Sequence, residues 1–271
     1  MNWFESIVYG LISGITEFLP LSSFAHQQIY LTLCGEALRD PARDLFVHIA
    51  MLCALWISCR PMLEQIRRSR RVGHRGASNE SKVGNDRRLV SKATLPMLIA
   101  FFVLRYIIGT TSSMLLTSVI LILNGLVLFV PDRLVRSNKD SGAMKPLAGV
   151  LIGTAGALSA IPGFSRIGCN ISVSSMLGAD RQHSLKWAIL LSIPALWGQI
   201  IIDLILLFTG SVISHWSHLL YYIITAAGAF GSSYCGIKLL RFISIRLNLG
   251  SFSYYSWGAS LIAFFLYLTV V

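Results

Sequence analysis

The sequence predicts an all-α integral membrane protein with about six transmembrane helices and two re-entrant helical hairpins in an inverted-topology repeat. Three observations carry that prediction. The 271 residues are 54% hydrophobic and only 13% charged, against about 25% charged in soluble domains. Apolar runs near the ~17–25 residues that cross a bilayer recur along the chain, and the two halves echo each other at a fixed offset. So many apolar helices, at a mean hydropathy of +0.66, leave too little polar sequence to cover them in water.

Taken in order, the first element is "GITEFLPLSSFAHQQ", residues 14–28, which sets Glu17, Ser22, Ser23 and His26 in apolar sequence broken by Pro20. No positively charged stretch with a small-residue cleavage site precedes it, so no removable signal peptide is expected. Spans are expected at 45–59, 93–108 and 114–130. Between the first two lies 60–92, which holds ten of the 23 Lys and Arg and reads, from its Gly, Ser and Asn punctuation, as a loop. It has no aromatic residue to stack on a base, so the net charge of +11 points to a cytoplasmic anchor and not to nucleic acid. Residues 131–146, with Arg133, Arg136, Lys139 and Lys145, form a second basic loop, and Lys238, Arg241 and Arg246 mark a third. The segments 109–113 and 209–218 carry no Lys or Arg, and this alternation is what the positive-inside bias requires.

The second motif, "GALSAIPGFSRIGCN" from residue 156, precedes spans at 187–208, 219–237 and 252–271. Sliding the chain by 142 positions aligns Gly14 with Gly156, Pro20 with Pro162, Ser23 with Ser165 and Arg39 with Arg181. If 60–92 and 131–146 are cytoplasmic, residues 1–40 must enter and leave on the outer side, and 147–180 on the cytoplasmic side. The expectation is one membrane domain over 1–271, with halves of about 1–130 and 147–271 whose Pro-broken tips meet near the midplane. In that plan broken helices aim their N-termini at a central site, and irregular backbone is tolerated only where protein or a wet cavity satisfies it. The competing reading is that Pro20 and Pro162 merely kink ordinary spans. Cys34, Cys53, Cys59, Cys169 and Cys235 form no CxxC pair and read as small hydrophobes.

After each proline the chain reads as a helix start, with Ser22 or Ser23 in "PLSSFAH" and Ser165 in "PGFSRIG" at the N-cap. Helix N-termini offer unpaired N–H groups to a phosphate, and two of them facing one cavity suit a diphosphate. Arg166 adds a planar cationic fork, and Gly163 and Gly168 allow close backbone approach. Ser23 and His26 share a helix face one turn apart, which brings hydroxyl and imidazole within reach as nucleophile and base. Glu17 is expected to orient His26, act as a base or bind a divalent cation. A carboxylate at bilayer depth costs on the order of 2.5–3.5 kcal/mol, so Glu17 is difficult to read as filler. A lone membrane serine, by contrast, usually bonds to its own backbone, and a lone histidine often bridges helices. His48 and Asp44 read as interfacial, Arg105 as snorkelling, and Asp203 as a buried acid whose partner the sequence does not show.

"GITEFLPLSSFAH" and "IPGFSRIG", with "DLFVHIAMLCALW" and "RQHSLKWAILLSIPALWG", resemble the bacterial undecaprenyl-diphosphate phosphatase family, linked to bacitracin resistance. The resemblance implies inverted repeats with re-entrant helices in the bacterial plasma membrane, and hydrolysis of the lipid's terminal phosphate at the outer face, which recycles the cell-wall carrier. By position it makes Glu17, Ser23 and His26 catalytic and Ser165 and Arg166 phosphate-binding; Ser22, Gly163 and Asn170 join them as substrate contacts. It also implies a divalent cation, magnesium or calcium, assigned to Glu17. The chain departs from the family at Ser13, where a Glu or Gln is usual, at Ala25 in place of Gly, and in "SRIGCN", where Ile167 and Asn170 replace Ser and Thr. The expected partners are the polyprenyl diphosphate and the bilayer, with no nucleic acid and with a homodimer left open. A carrier that moves a polyprenyl phosphate or related anion without cleaving it is the alternative on the same fold.

Overall fold

The structure, a computed structural model, describes residues 1–36, 40–72, 78–108, 113–134, 144, 146–209, 218–246 and 249–270. Among them the chain forms ten α-helices and no β-strand. Helix α1 spans Trp3–Phe18, α2 Ser23–Cys34, α3 Pro41–Val72, α4 Ser78–Ile108 and α5 Met114–Leu134. Helix α6 spans Pro146–Ala157, α7 Arg166–Met176, α8 Arg181–Thr209, α9 Leu219–Arg246 and α10 Ser251–Val270.

The two motifs fold as helix, break, helix. A capping box starts α1: the Asn2 side chain accepts from the Glu5 N–H at 2.9 Å, and Glu5 accepts from the Asn2 N–H at 2.7 Å. It stops before Pro20 because the residue preceding a proline is pushed out of the helical region, and Leu19 is extended at φ −99°, ψ 162°. In the second motif a 3₁₀ turn over Leu158–Ala160 follows α6, and Ile161 is extended ahead of Pro162. Gly163 then takes φ +108°, where a side chain would be strained, and an added Cβ would press on Ile120 and the Thr117 carbonyl of α5.

Helix pairing follows one rule in both halves. Helix α1 packs most extensively on α9, and α6, five helices later, packs most on α4; α3 faces α8 and α5 faces α10. Close approach is made by glycines spaced four apart, as in membrane helix pairs generally. In α1, Gly10 and Gly14 lie against the backbone of Thr225 and Ala229, and in α6, Gly149 and Gly153 lie against that of Leu89 and Ala93. Hydroxyls stitch the same seams: Ser232 Oγ donates to the Gly10 carbonyl at 3.2 Å, and Ser260 Oγ donates to the Ser118 carbonyl at 2.8 Å. Ser118 and Ser260 are 142 positions apart, the offset at which the halves align.

Among the described residues five helices are long and apolar enough to cross a membrane: Pro41–Gln65, Asp86–Ile107, Met114–Pro131, Arg181–Thr209 and Leu219–Ile243. Their apolar windows are only 17–50% buried; these helices present side chains such as Tyr106, Phe208 and Leu220 outward, a surface suited to lipid. The sixth expected span corresponds to the 20-residue α10, whose first half carries four serines that reduce its hydropathy. The chain is thus a multi-pass membrane protein.

The expected loop at 60–92 is corrected: α3 runs on to Val72 and α4 begins at Ser78. Arg, Lys and Glu are good helix formers, so helices that leave the bilayer continue in charged sequence. Asp86, within that segment, is buried and accepts from Lys186 Nζ at 2.7 Å and Trp187 Nε1 at 2.9 Å, tying α4 to α8. Most of the basic segment 131–146, the uncharged segments 109–112 and 210–217, and Arg39 lie outside the described residues. The five cysteines are free; Cys59 and Cys169 are buried, Cys53 and Cys235 exposed.

Candidate active site

The two breaks meet. Ser165 caps α7, accepting from the Gly168 N–H at 3.1 Å, and its hydroxyl donates to the Leu19 carbonyl in the first break at 3.3 Å. Its own N–H donates to Asn124 of α5 at 2.9 Å, and Asn124 donates to Ser256 of α10 at 3.0 Å. Helix α2 is capped by Ser22, which accepts from the Ala25 N–H at 3.3 Å. Ser22 and not Ser23 is therefore the structural counterpart of Ser165, one residue away from the sequence alignment. The first helical residue after each cap is Ser23 in α2 and Arg166 in α7.

Across the junction Arg166 donates to Glu17 Oε1 at 2.6 Å, with side-chain exposures of 4% and 9%. Arg166 Nε is buried without a hydrogen-bond partner, and so is Ser13 Oγ one turn before Glu17. Ser23 Oγ donates to the Ser13 carbonyl at 3.2 Å and accepts weakly from Gln27 at 3.4 Å. Glu17 and Ser23 both border a cleft that is partly open to its surroundings and lined also by Gln27, Gln28, His48, Arg105, Gln199 and Asp203. Thr117 of α5 donates to Gln28 at 2.6 Å and anchors α2 beside it.

Several sequence expectations are corrected here. Ser23 and His26 are not hydrogen-bonded. The His26 ring lies over the Tyr255 ring, nearly parallel at 5.5 Å; its Nδ1 contacts the Ser22 carbonyl at 2.7 Å and its Nε2 the Tyr255 hydroxyl at 2.9 Å. A carbonyl only accepts, so Nδ1 holds the proton and Tyr255 donates to Nε2. Glu17 does not orient His26, because its partner is Arg166. Asn170 is fully buried with both amide atoms unpartnered and stands against Gly156 of α6, away from the cleft. Gly163 serves packing against α5 and Gly168 packing against Leu128.

The pattern missed two features. Asp203 has a partner, His48, at 2.6 Å, and both border the cleft. Arg105 borders it as well, with its guanidinium 5.9 Å above the Phe24 ring. The signal available was that each is an ionisable residue within an apolar span. Among the described residues no three His, Cys, Asp or Glu side chains group as a metal site. With Ser13 in place of a second carboxylate, Glu17 has no carboxylate one turn before it to share a divalent cation.

Arg166 itself does not line the cleft, but its partner Glu17 and the Ser23 hydroxyl do, so the cleft borders a junction of two capped helix starts whose N–H groups and arginine suit an anionic phosphate ester. Comparison with known proteins points the same way. A protein named undecaprenyl-diphosphatase from Alcanivorax borkumensis is 30% identical over 92% of this chain and 97% of its own length. Relatives of the same name from Nocardioides sp. and Chromohalobacter salexigens are 31% and 34% identical, over 91% and 72% of this chain and 90% and 73% of their own lengths. The family model described as bacitracin resistance protein BacA matches residues 6–262, and the chain belongs to that family.

Proposed function

We propose that the chain hydrolyses undecaprenyl diphosphate to undecaprenyl phosphate and inorganic phosphate, returning the cell-wall lipid carrier to use and so lowering sensitivity to bacitracin. The observation that carries this is the contact between Arg166 and Glu17, which sets the anion-binding fork of one broken helix against the reacting residues of the other. In this reading the phosphate draws the Arg166 fork from Glu17, the N–H groups opening α2 and α7 take further oxygens, and Ser23 or a water attacks the terminal phosphorus. His26, engaged on both nitrogens, steadies the first turn of α2. Asn170 and Gly163 act behind the site, on the packing of α7. Were magnesium or calcium bound with the diphosphate, Glu17 would be the carboxylate of this junction to hold it, and the ion would supply charge neutralisation.

The halves are read as inverted repeats, with the basic segment at 60–92 in the cytoplasm and the cleft opening to the outer face of the plasma membrane. Both tips come from one chain, so a second copy is not needed to complete the site, and nucleic acid has no part in it. The test is phosphate release from undecaprenyl diphosphate by the purified protein, with magnesium, calcium or chelator. Wild type should release phosphate, and Arg166→Ala should lose at least ~10²-fold in rate, the scale of removing one charge-stabilising donor. No release by wild type, with exchange of polyprenyl phosphate between liposome leaflets, would replace the phosphatase by a carrier.

A further inference from the structure

We infer that Arg105 of α4 holds the lipid-linked phosphate of the diphosphate, the one that is not attacked; the inference deepens the phosphatase reading and rests on it. Arg105 lies in the last turn of α4, half-buried, and lines the cleft together with Phe101 one turn before it. This face of α4 is therefore turned to the cleft that Ser23 and Glu17 also border. The Arg105 guanidinium stands 5.9 Å above the ring of Phe24, the residue after Ser23 in the first turn of α2. An aromatic face attracts a guanidinium at that distance without using any of its N–H donors. The contact sets the side chain over α2, where an arginine that merely snorkelled would extend along its own helix toward the membrane surface.

The charges along the cleft single Arg105 out. Each acid there already has a partner: Glu17 accepts from Arg166 at 2.6 Å, Asp44 accepts from Arg43 at 3.1 Å, and Asp203 lies 2.6 Å from His48. Among the described residues Arg105 is the only Lys or Arg lining the cleft, and it has neither an ion pair nor a hydrogen-bond acceptor. A cation without a counter-charge is costly in an apolar span, and a bound anion removes that cost.

A diphosphate carries anionic oxygens on both phosphorus atoms. In the phosphatase reading the terminal phosphate sits at the junction of the two breaks, beside Ser23 and within the reach of Arg166. The second phosphate then falls to the α4 wall, where Arg105 offers a planar fork of donors. A monophosphate engages one of these two cations at a time, whereas a diphosphate engages both. The two arginines together therefore select a diphosphate over inorganic phosphate and over the lipid monophosphate that leaves.

Calorimetric binding of inorganic diphosphate and of inorganic phosphate to the purified full chain tests this. In Arg105→Gln the affinity for diphosphate should fall by about 10–10²-fold, the scale of one charge-assisted hydrogen bond, while that for phosphate should change by less than about twofold. In phosphate release from undecaprenyl diphosphate the same variant should raise KM more than it lowers kcat, and Arg105→Lys should recover part of the loss. Unchanged diphosphate affinity and KM in Arg105→Gln, or equal weakening of both anions, overturns the Arg105 role alone. No release by wild type overturns the phosphatase reading, and the anion comparison then still decides whether Arg105 takes a second phosphate. Independently of any variant, phenylglyoxal, which modifies guanidinium groups, should label Arg105 of the intact wild-type chain, and diphosphate should slow that labelling more than phosphate at equal concentration. Labelling of Arg105 that diphosphate leaves unchanged overturns the inference even if the variants misfold.

Discussion

Neutralising one member of the Glu17–Arg166 pair should cost far more than neutralising both. The pair is joined at 2.6 Å with side chains 9% and 4% exposed, and Arg166 Nε already lacks a partner. Glu17→Gln leaves a guanidinium buried with one neutral acceptor, and Arg166→Met leaves a buried carboxylate with none. Breaking a buried pair from one side costs about 3–5 kcal/mol, whereas replacing both members is often close to neutral. At about 2–4 °C per kcal/mol for a chain near this size, each single variant should melt roughly 6–20 °C below wild type. The double variant Glu17→Gln with Arg166→Met should recover most of that, a coupling of roughly 5–9 kcal/mol when the double loss is about 1 kcal/mol. The assay is thermal unfolding of the purified protein in one detergent for all four members of the cycle. Single-variant losses that add in the double variant to within about 0.5 kcal/mol would refute the reasoning, because the two side chains would then not be facing partners.

Other outcomes follow from single contacts. Gly163→Ala should destabilise by at least ~1 kcal/mol, since it combines strain at φ +108° with a clash on α5, and a lowered melting temperature would show it. Tyr255→Phe removes the donor to His26 Nε2 and should cost about 1 kcal/mol, while raising the reactivity of His26 toward diethyl pyrocarbonate. Asp86→Ala strands Lys186 and the Trp187 N–H between α4 and α8 and should cost about 3 kcal/mol or more, read as lower expression and melting temperature. Gly14→Leu should prevent α1 from seating on α9, where an added Cβ already meets Ser232 and Ala229, and should abolish recovery of folded protein.

What could be read from the sequence was what repeats or is local. Pro20 and Pro162 announce the breaks because proline constrains the residue before it, and the serines after them announce the caps. Two adjacent serines at 22 and 23 are chemically equal candidates for a cap, so the choice between them emerged only from the backbone. Gly, Ser and Asn in 60–92 read as loop punctuation, although the Arg, Lys and Glu between them favour helix. The site was legible as a set of residues and not as a set of pairs. Tyr255 reaches His26 across 229 positions and Asp203 reaches His48 across 155, separations at which no local spacing identifies a partner. Glu17 and Arg166 could be placed at one site in advance from the alignment of their two motifs, but that they pair directly emerged only from the structure.

The exchange of partners between the halves has a consequence for how the chain is made. Helix α1, Trp3–Phe18, leaves the ribosome well before α9, Leu219–Arg246, which covers its glycine face. At about 5–20 residues per second, the roughly 200 residues between them take on the order of 10–40 s to synthesise. Throughout that interval the newborn amino-terminal half holds a carboxylate and an open glycine seam toward lipid, so its insertion machinery must shelter both until the carboxy-terminal half arrives.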